Sequence, residues 1–490
     1  MTLTAILIFT GAALLYRLLV RTRGRQELLL AASVLAVYWL QPATPIRGLD
    51  FWLPTATLAL AVLGWAVTAA PAERANRRNL ATAGALAGLV LLIALTRYLS
   101  TTGILTASRP PQTLSVLLAL LIAAGLAAAA WRWGEKTPPL AGVTIGVLLA
   151  LFVVLKLPEL ARLASAGLRA LGGQNPTLAA AGDLRWLGFS YVAFRLIHTL
   201  RDRQSGRLAA VTLQEYLTYL IFFPAFTAGP IDRVERFTRD LRKPLTLQPG
   251  DLLQPGARLA VGLFKKFVLA DGLAMMALNA QNAAQVSGAG WAWLLVVAYA
   301  LQIYFDFSGY TDIAVGLGGL MGITLPENFN HPYLKPNLTQ FWNNWHMTLT
   351  QWFRAYYFNP VTRSLRSGPR KWPPQAVILF TQVTTFVLIG LWHGITWNFV
   401  IWGVWHGLGL FVQNRYTELV RPRFAAWEEE QESRRLSLSK PSLSKPGLLK
   451  PALPILGAAL TFMYVALGWV WFALPTPALA LRTLGVLFGM

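Results

Sequence analysis

Apolar residues run along this chain in long blocks separated by short polar loops. A helix rising 1.5 Å per residue needs about 20 apolar residues to cross roughly 30 Å of hydrocarbon, so the blocks predict membrane-crossing helices. They fall near 2–20, 27–41, 51–69, 79–98, 113–131 and 139–157, then 180–200, 212–229, 256–276, 290–306, 310–323, 376–392, 395–413 and 454–474. Several later blocks are short, carry Asp or Pro, or lie too close together to cross independently, and re-entrant or half-crossing pieces are expected there. The pattern predicts an all-α polytopic membrane protein with about 11–14 membrane segments.

Composition agrees: 55% of the 490 residues are hydrophobic and 13% charged. A net charge of +22 would suggest nucleic acid in a soluble protein, but here the basic residues punctuate the apolar blocks in alternate loops. That is the positive-inside pattern of a multi-pass protein in the cell (cytoplasmic) membrane, with no nucleic-acid partner. Nothing basic precedes the first block, while Arg21, Arg23 and Arg25 follow it; the next loop has Arg47 against Asp50, and the one after has Arg74, Arg77 and Arg78. The N-terminus is therefore expected outside, with Arg132, Lys136 and the basic stretches 201–207, 233–243 and 363–371 inside. The first block lacks a basic n-region and a small-residue cleavage site, which predicts a retained helix. Without cysteine there is no disulfide, thiolate metal site or cysteine nucleophile.

Residues 1–178 read as Leu/Ala/Val-rich scaffold helices, ending in a stretch, 158–178, whose spacing suits either an interfacial amphipathic helix or a solvated connector. From 179 to 413 the character changes, with aromatics, Asn, His, Asp, Gly and Pro inside or beside the apolar blocks, so the chemistry is expected there. Residues 414–453, with clustered Glu and a tandem Ser-Leu-Ser-Lys-Pro repeat, read as a disordered loop, and 454–490 returns to the membrane.

Two segments, Phe341–Leu349 and Gly390–Trp397, each set one histidine, His346 or His393, among tryptophans. Ionisable groups at membrane depth are costly and usually functional. Read as one helix over 338–357, the first segment puts Trp342, Trp345, Leu349, Trp352 and Tyr356 on one stripe, and Asn343, His346, Thr350 and Arg354 on its neighbour. A polar seam beside an aromatic wall suits a cavity lining; an interfacial aromatic belt with a hydrogen-bonded histidine is the packing alternative. Gly394, after His393, would admit a close neighbour or substrate. On a helix continuous from 393, His406 would lie about 220° round from His393 and face other surroundings, which favours packing. His198 and His331 are read as structural. In Tyr304–Asp312 the carboxylates of Asp306 and Asp312 are expected to cap half-helices or pair with Arg or Tyr, since buried acids need partners. Gly316, Gly318, Gly319 and Gly322 read as close helix packing, because Met321 stands where a dinucleotide fingerprint needs its third glycine.

Taken in order, these segments resemble the membrane-bound O-acyltransferase family, in its bacterial branch. The likeness rests on Phe223-Pro224 through Gly229-Pro230-Ile231-Asp232-Arg233, Gly262–Lys266, Tyr304–Asp312, Leu325–Asn330 with Pro332-Tyr333, the two histidine motifs and Gly468–Phe472. It implies a ring of tilted helices around a central tunnel, with His393 as the family's characteristic histidine and His346 as its partner. It also implies transfer of an acyl group from a thioester on the cytoplasmic side, acetyl-CoA or a phosphopantetheine carrier protein, to a hydroxyl at the outer side. No tightly bound cofactor and no metal are required. Asn343, Tyr304 and the indole of Trp392 are candidate oxyanion donors, with Trp342, Trp345, Asp306 and Asp312 as candidate tunnel residues. The expected acceptor is an envelope or exported polysaccharide, reached directly or through a periplasmic or extracellular acyltransferase partner, and membrane lipids surround the chain. D-Alanylation of an envelope polymer is the rival transfer. A lipid-linked-sugar transporter is the rival of another class, disfavoured by the lack of two-half symmetry.

Overall fold

In the computed structural model, residues 2–19, 24–74, 76–99, 105–133, 139–245, 248–369, 372–420 and 449–490 are described, and none of them forms a strand. Among the described residues six helices are long and apolar enough to cross a membrane: Leu49–Thr68, Arg77–Tyr98, Thr113–Arg132, Ala289–Leu320, Pro374–His393 and Leu453–Ala473. A bent pair, Leu140–Lys156 and Pro158–Leu171, makes up to seven; Leu3–Leu19 and Pro477–Leu487 are shorter apolar helices. The chain is a multi-pass, all-helical membrane protein. It divides into two compact units, residues 1–263 with 310–326, and residues 264–309 with 327–490.

Buried arginines tie the first unit together. Arg195 donates to the carbonyls of Tyr219 (3.3 Å), Leu220 (2.8 Å), Ala225 (2.8 Å) and Pro230 (3.3 Å). Arg25 donates to those of Asp240, Lys243, Met321 and Gly322. A guanidinium with its fork of donors is suited to this task, because helix ends sealed from water leave carbonyls that must find partners within the protein. The Tyr310 hydroxyl meets Thr227, the Ala228 N–H and the Pro224 carbonyl, so one part of the Tyr304–Asp312 motif secures the Phe223–Arg233 segment. Helix Pro158–Leu171 turns 96° from its predecessor and buries Ala161, Ser165 and Arg169, the last two bonded to Asp183. That stripe is packed, which excludes a merely solvated connector.

In the second unit, helices Pro374–His393 and Trp397–Leu419 form a close hairpin. A Cβ on Gly403 would come 2.6 Å from the Phe386 carbonyl, and one on Gly407 would come 2.6 Å from Val383 Cα, so only glycine permits this approach.

Three local expectations are corrected. The blocks 290–306 and 310–323 belong to one helix, Ala289–Leu320, so Asp306 and Asp312 lie mid-helix and cap nothing. The helix expected over 338–357 is broken at Trp345-His346 and passes through a wide turn at 354–358. Blocks 376–392 and 395–413 are the separate helices Pro374–His393 and Trp397–Leu419, so the continuous helix assumed in placing His406 about 220° from His393 does not form. Of the 414–453 segment, residues to Leu419 finish a helix and those from Leu449 begin another; 421–448 lie outside the described residues.

Candidate active site

Helix Leu338–Asn344 starts from the Asn337 side chain, which accepts from the Gln340 N–H at 2.8 Å, and stops at Trp345. His346 then takes φ 42° and ψ 53°, and the helix resumes at Met347. A non-glycine residue in this left-handed region carries roughly 1–2 kcal/mol of strain, and such residues gather at functional sites.

The strain is held by Asn328, which is fully buried. Its backbone carbonyl accepts the Met347 N–H at 2.9 Å, and its side-chain oxygen accepts the Thr348 hydroxyl at 2.6 Å and the Thr348 N–H at 3.4 Å. On the other side of the turn the Asn330 N–H donates to the Asn344 carbonyl at 3.1 Å. Residues 328–330 thus strap His346 from both flanks. In the sequence Asn328 enters only as part of the Leu325–Asn330 likeness, with no role of its own; its signal was the pair of amides, Asn328 and Asn330, flanking Phe329 just after Pro326.

The His346 ring is buried, with Phe307 edge-on at 4.6 Å and Trp392 at 6.1 Å. Trp392 in turn packs on His393 at 4.4 Å, and the two imidazoles lie close enough to interact electrostatically. His346 Nε2 has no hydrogen-bond partner among the described residues. Half-buried His393 is the last residue of its helix and lies against Phe472 (4.7 Å), Phe399 (6.0 Å) and Trp402 (6.1 Å). The space beside Gly394 is taken by the Phe399 ring, 2.7 Å from where a Cβ would sit.

Trp345 belongs to an aromatic cluster with Phe329, Tyr333, Phe341, Trp469 and Tyr304. Trp342, Asn343, Thr350 and Arg354 line a cavity of about 200 Å³, where Asn343 Oδ1 accepts from Arg354 at 2.7 Å. A second cavity of about 370 Å³, bordered by Arg366 and Arg415, shares Phe358, Gln382 and Asn414 with the first. So three of the four residues of the expected polar seam meet at one cavity, and His346 stands outside its lining. Asp306 pairs with Lys266 and Asp312 with Arg258, the latter pair within the first unit. Both acids are thereby engaged in ion pairs.

Of the remaining histidines, His198 and His406 are held within the fold. His198 Nδ1 lies 3.1 Å from Asp202, and its Nε2 accepts the Val234 N–H at 3.4 Å. His198, Asp202 and Glu235 are the one group among the described residues able to offer a metal three ligand atoms, all within 4.8 Å of one another. Both ring nitrogens of His198 are already used, so the group reads as a structural knot. His406 is enclosed by Trp342, Trp402 and Tyr464, and His331 is an exposed left-handed residue before a short turn.

The profile of the membrane-bound O-acyltransferase family matches residues 112–470. The chain is 31% identical over 249 residues to the teichoic acid D-alanyltransferase of Streptococcus thermophilus, covering 49% of this chain and 60% of that one. It is 32% identical over 307 residues to the probable alginate O-acetylase of Pseudomonas syringae pv. tomato, covering 62% and 52%. It is 30% identical over 280 residues to the peptidoglycan O-acetyltransferase of Helicobacter pylori, covering 56% and 47%. The chain spans about half the length of the curated relatives it matches.

Proposed function

Since the chain belongs to the membrane-bound O-acyltransferase family, with 112–470 matched, we propose that it transfers an acyl group, acetyl in the first instance, from a cytoplasmic thioester to a hydroxyl of an envelope or exported polysaccharide. The observation that carries this reading is the pairing of His346 and His393 across Trp392, with His346 held in a strained, strapped turn. Strain is maintained at a buried imidazole when its position matters.

His393 is the general base. Its imidazole takes the acceptor's hydroxyl proton as that oxygen bonds to the thioester carbonyl carbon; the intermediate then expels the thiolate, which recovers the proton, so ester and free thiol leave together. Such a base contributes about 10²- to 10⁴-fold in rate. The carbonyl end of helix Pro374–His393 is where a positive charge is best tolerated while the ring holds the proton. His346 orients and hydrogen-bonds the reacting groups through its Nε2. The two adjoining cavities bordered by Arg354, Arg366 and Arg415, the last paired with Glu418 at 2.6 Å, carry a net basic lining that suits a phosphate-bearing pantetheine donor, either acetyl-CoA or an acyl carrier protein. The alternating basic loops support an N-terminus facing outward in the cytoplasmic membrane, with the basic blocks toward the donor.

The test is thiol release from acetyl-CoA in the presence of acceptor polymer. The absence of cysteine removes any protein background from a thiol reagent. His393→Ala is expected to abolish release while the protein stays inserted and folded; full turnover by that variant would refute the reading. Similarity to the D-alanyltransferase makes a D-alanyl-loaded carrier the second donor to try, and mass spectrometry of the product polymer distinguishes the two groups.

A further inference from the structure

In the first unit, an apolar cleft of about 510 Å³ lies among helices Leu49–Thr68, Arg77–Leu95 and Thr113–Trp133, all three of them candidate membrane spans. Helix Thr113–Trp133 is loosely attached: among its described residues Val116 alone is buried, while Leu117, Leu118, Leu121, Ile122 and Leu126 are exposed. Its inner side carries Ala119, Ala123 and Ala127, facing Ala83 and Ala87, and these small side chains leave the space between the helices unfilled. Polar groups inside are already used: the Thr55 hydroxyl meets Tyr38 and the Phe51 carbonyl, and Asn79 is bonded to Glu73 and Leu213. Those groups leave water little to bind, and at membrane depth the solvent is hydrocarbon.

One end of the cleft is charged. Arg74 donates to the carbonyls of Ala69 (3.1 Å) and Trp131 (3.2 Å), clasping the ends of two of the helices. Exposed Arg77 and Arg78 follow directly, and Arg132 is exposed beside Trp131. The acid adjacent in sequence, Glu73, is bound by the amides of Asn76 and Asn79. Basic side chains at the edge of a membrane helix attract anionic headgroups. We infer that this cleft seats a hydrocarbon chain of an anionic glycerophospholipid, with its phosphate at the Arg74–Arg77–Arg78 end. Most of the lining precedes residue 112, where the family match begins, and all of it belongs to the first unit, whereas His346 and His393 belong to the second.

The test uses full-length protein, delipidated in detergent and given phosphatidylglycerol or phosphatidylcholine. Native mass spectrometry is expected to find one phosphatidylglycerol retained per chain, and thermal melting to rise by about 3 °C more with that lipid than with phosphatidylcholine. Ala123→Phe, which fills the cleft, should lose both the adduct and the shift. Ala87→Val serves where the larger side chain prevents folding. Arg77→Gln/Arg78→Gln should keep binding but no longer distinguish the two lipids. Equal shifts with both lipids in the wild type, an adduct surviving in the folded filled variants, or light scattering showing a second copy of this chain on that face would each overturn the inference.

Discussion

Replacing Asn328 by Ala removes the acceptor of the Thr348 hydroxyl (2.6 Å) and of the Thr348 N–H (3.4 Å), while its backbone carbonyl still receives the Met347 N–H. Two buried donors lose this acceptor, which costs about 1–3 kcal/mol. The left-handed conformation of His346 stores roughly 1–2 kcal/mol, so the loss is as large as the strain it was holding. The turn then relaxes toward ordinary helical values and carries the imidazole away from Trp392 and His393. Each 1.4 kcal/mol removed from the competent arrangement lowers its population about tenfold, so kcat should fall by roughly 10- to 100-fold with the donor KM little changed. Thiol release from acetyl-CoA, with melting measured in parallel, reads both effects. A cycle with His346→Gly sharpens the test, because glycine adopts the left-handed region without strain. In that background Asn328→Ala should cost less stability than in the wild type. Unchanged kcat and melting in Asn328→Ala, or an equal stability cost in both backgrounds, would refute the strap.

His406 is fully buried, and neither ring nitrogen has a hydrogen-bond partner among the described residues. His406→Phe should therefore be neutral or stabilising by about 1 kcal/mol, with transfer within roughly twofold of wild type; a large loss of activity at unchanged melting would remove His406 from the packing residues. Burial pushes the Asp240 carboxyl up, but the Lys243 ammonium at 2.7 Å and the Thr324 N–H at 3.0 Å outweigh it and hold the group below the usual carboxylate range. A carboxyl depressed in the folded state contributes stability above its unfolded value of about 4 and loses it as pH falls through the folded value. Asp240→Asn should accordingly melt lower than wild type at neutral pH and converge with it in the acid range below about 4, whereas a pH-independent gap would show that the pairing contributes no stability.

The all-helical membrane character was legible in the chain itself, because the length of an apolar block is set by bilayer thickness and needs no tertiary information. The same holds for the two histidine motifs, where an ionisable group among tryptophans stands out locally. Other features depended on residues distant in sequence. Blocks 290–306 and 310–323 looked interrupted because Asp306 and Asp312 seemed too costly to bury. Arg258 pairs with buried Asp312, Lys266 pairs with Asp306, whose side chain stays about half exposed, and Ala289–Leu320 runs through unbroken. Conversely, 338–357 has good helical periodicity and is nonetheless broken at His346. Periodicity records which face each side chain would occupy on an ideal helix. It does not register that Asn328 and Asn330, some twenty residues back along the chain, take up backbone groups on both sides of one histidine and so stabilise a conformation the local sequence would not choose.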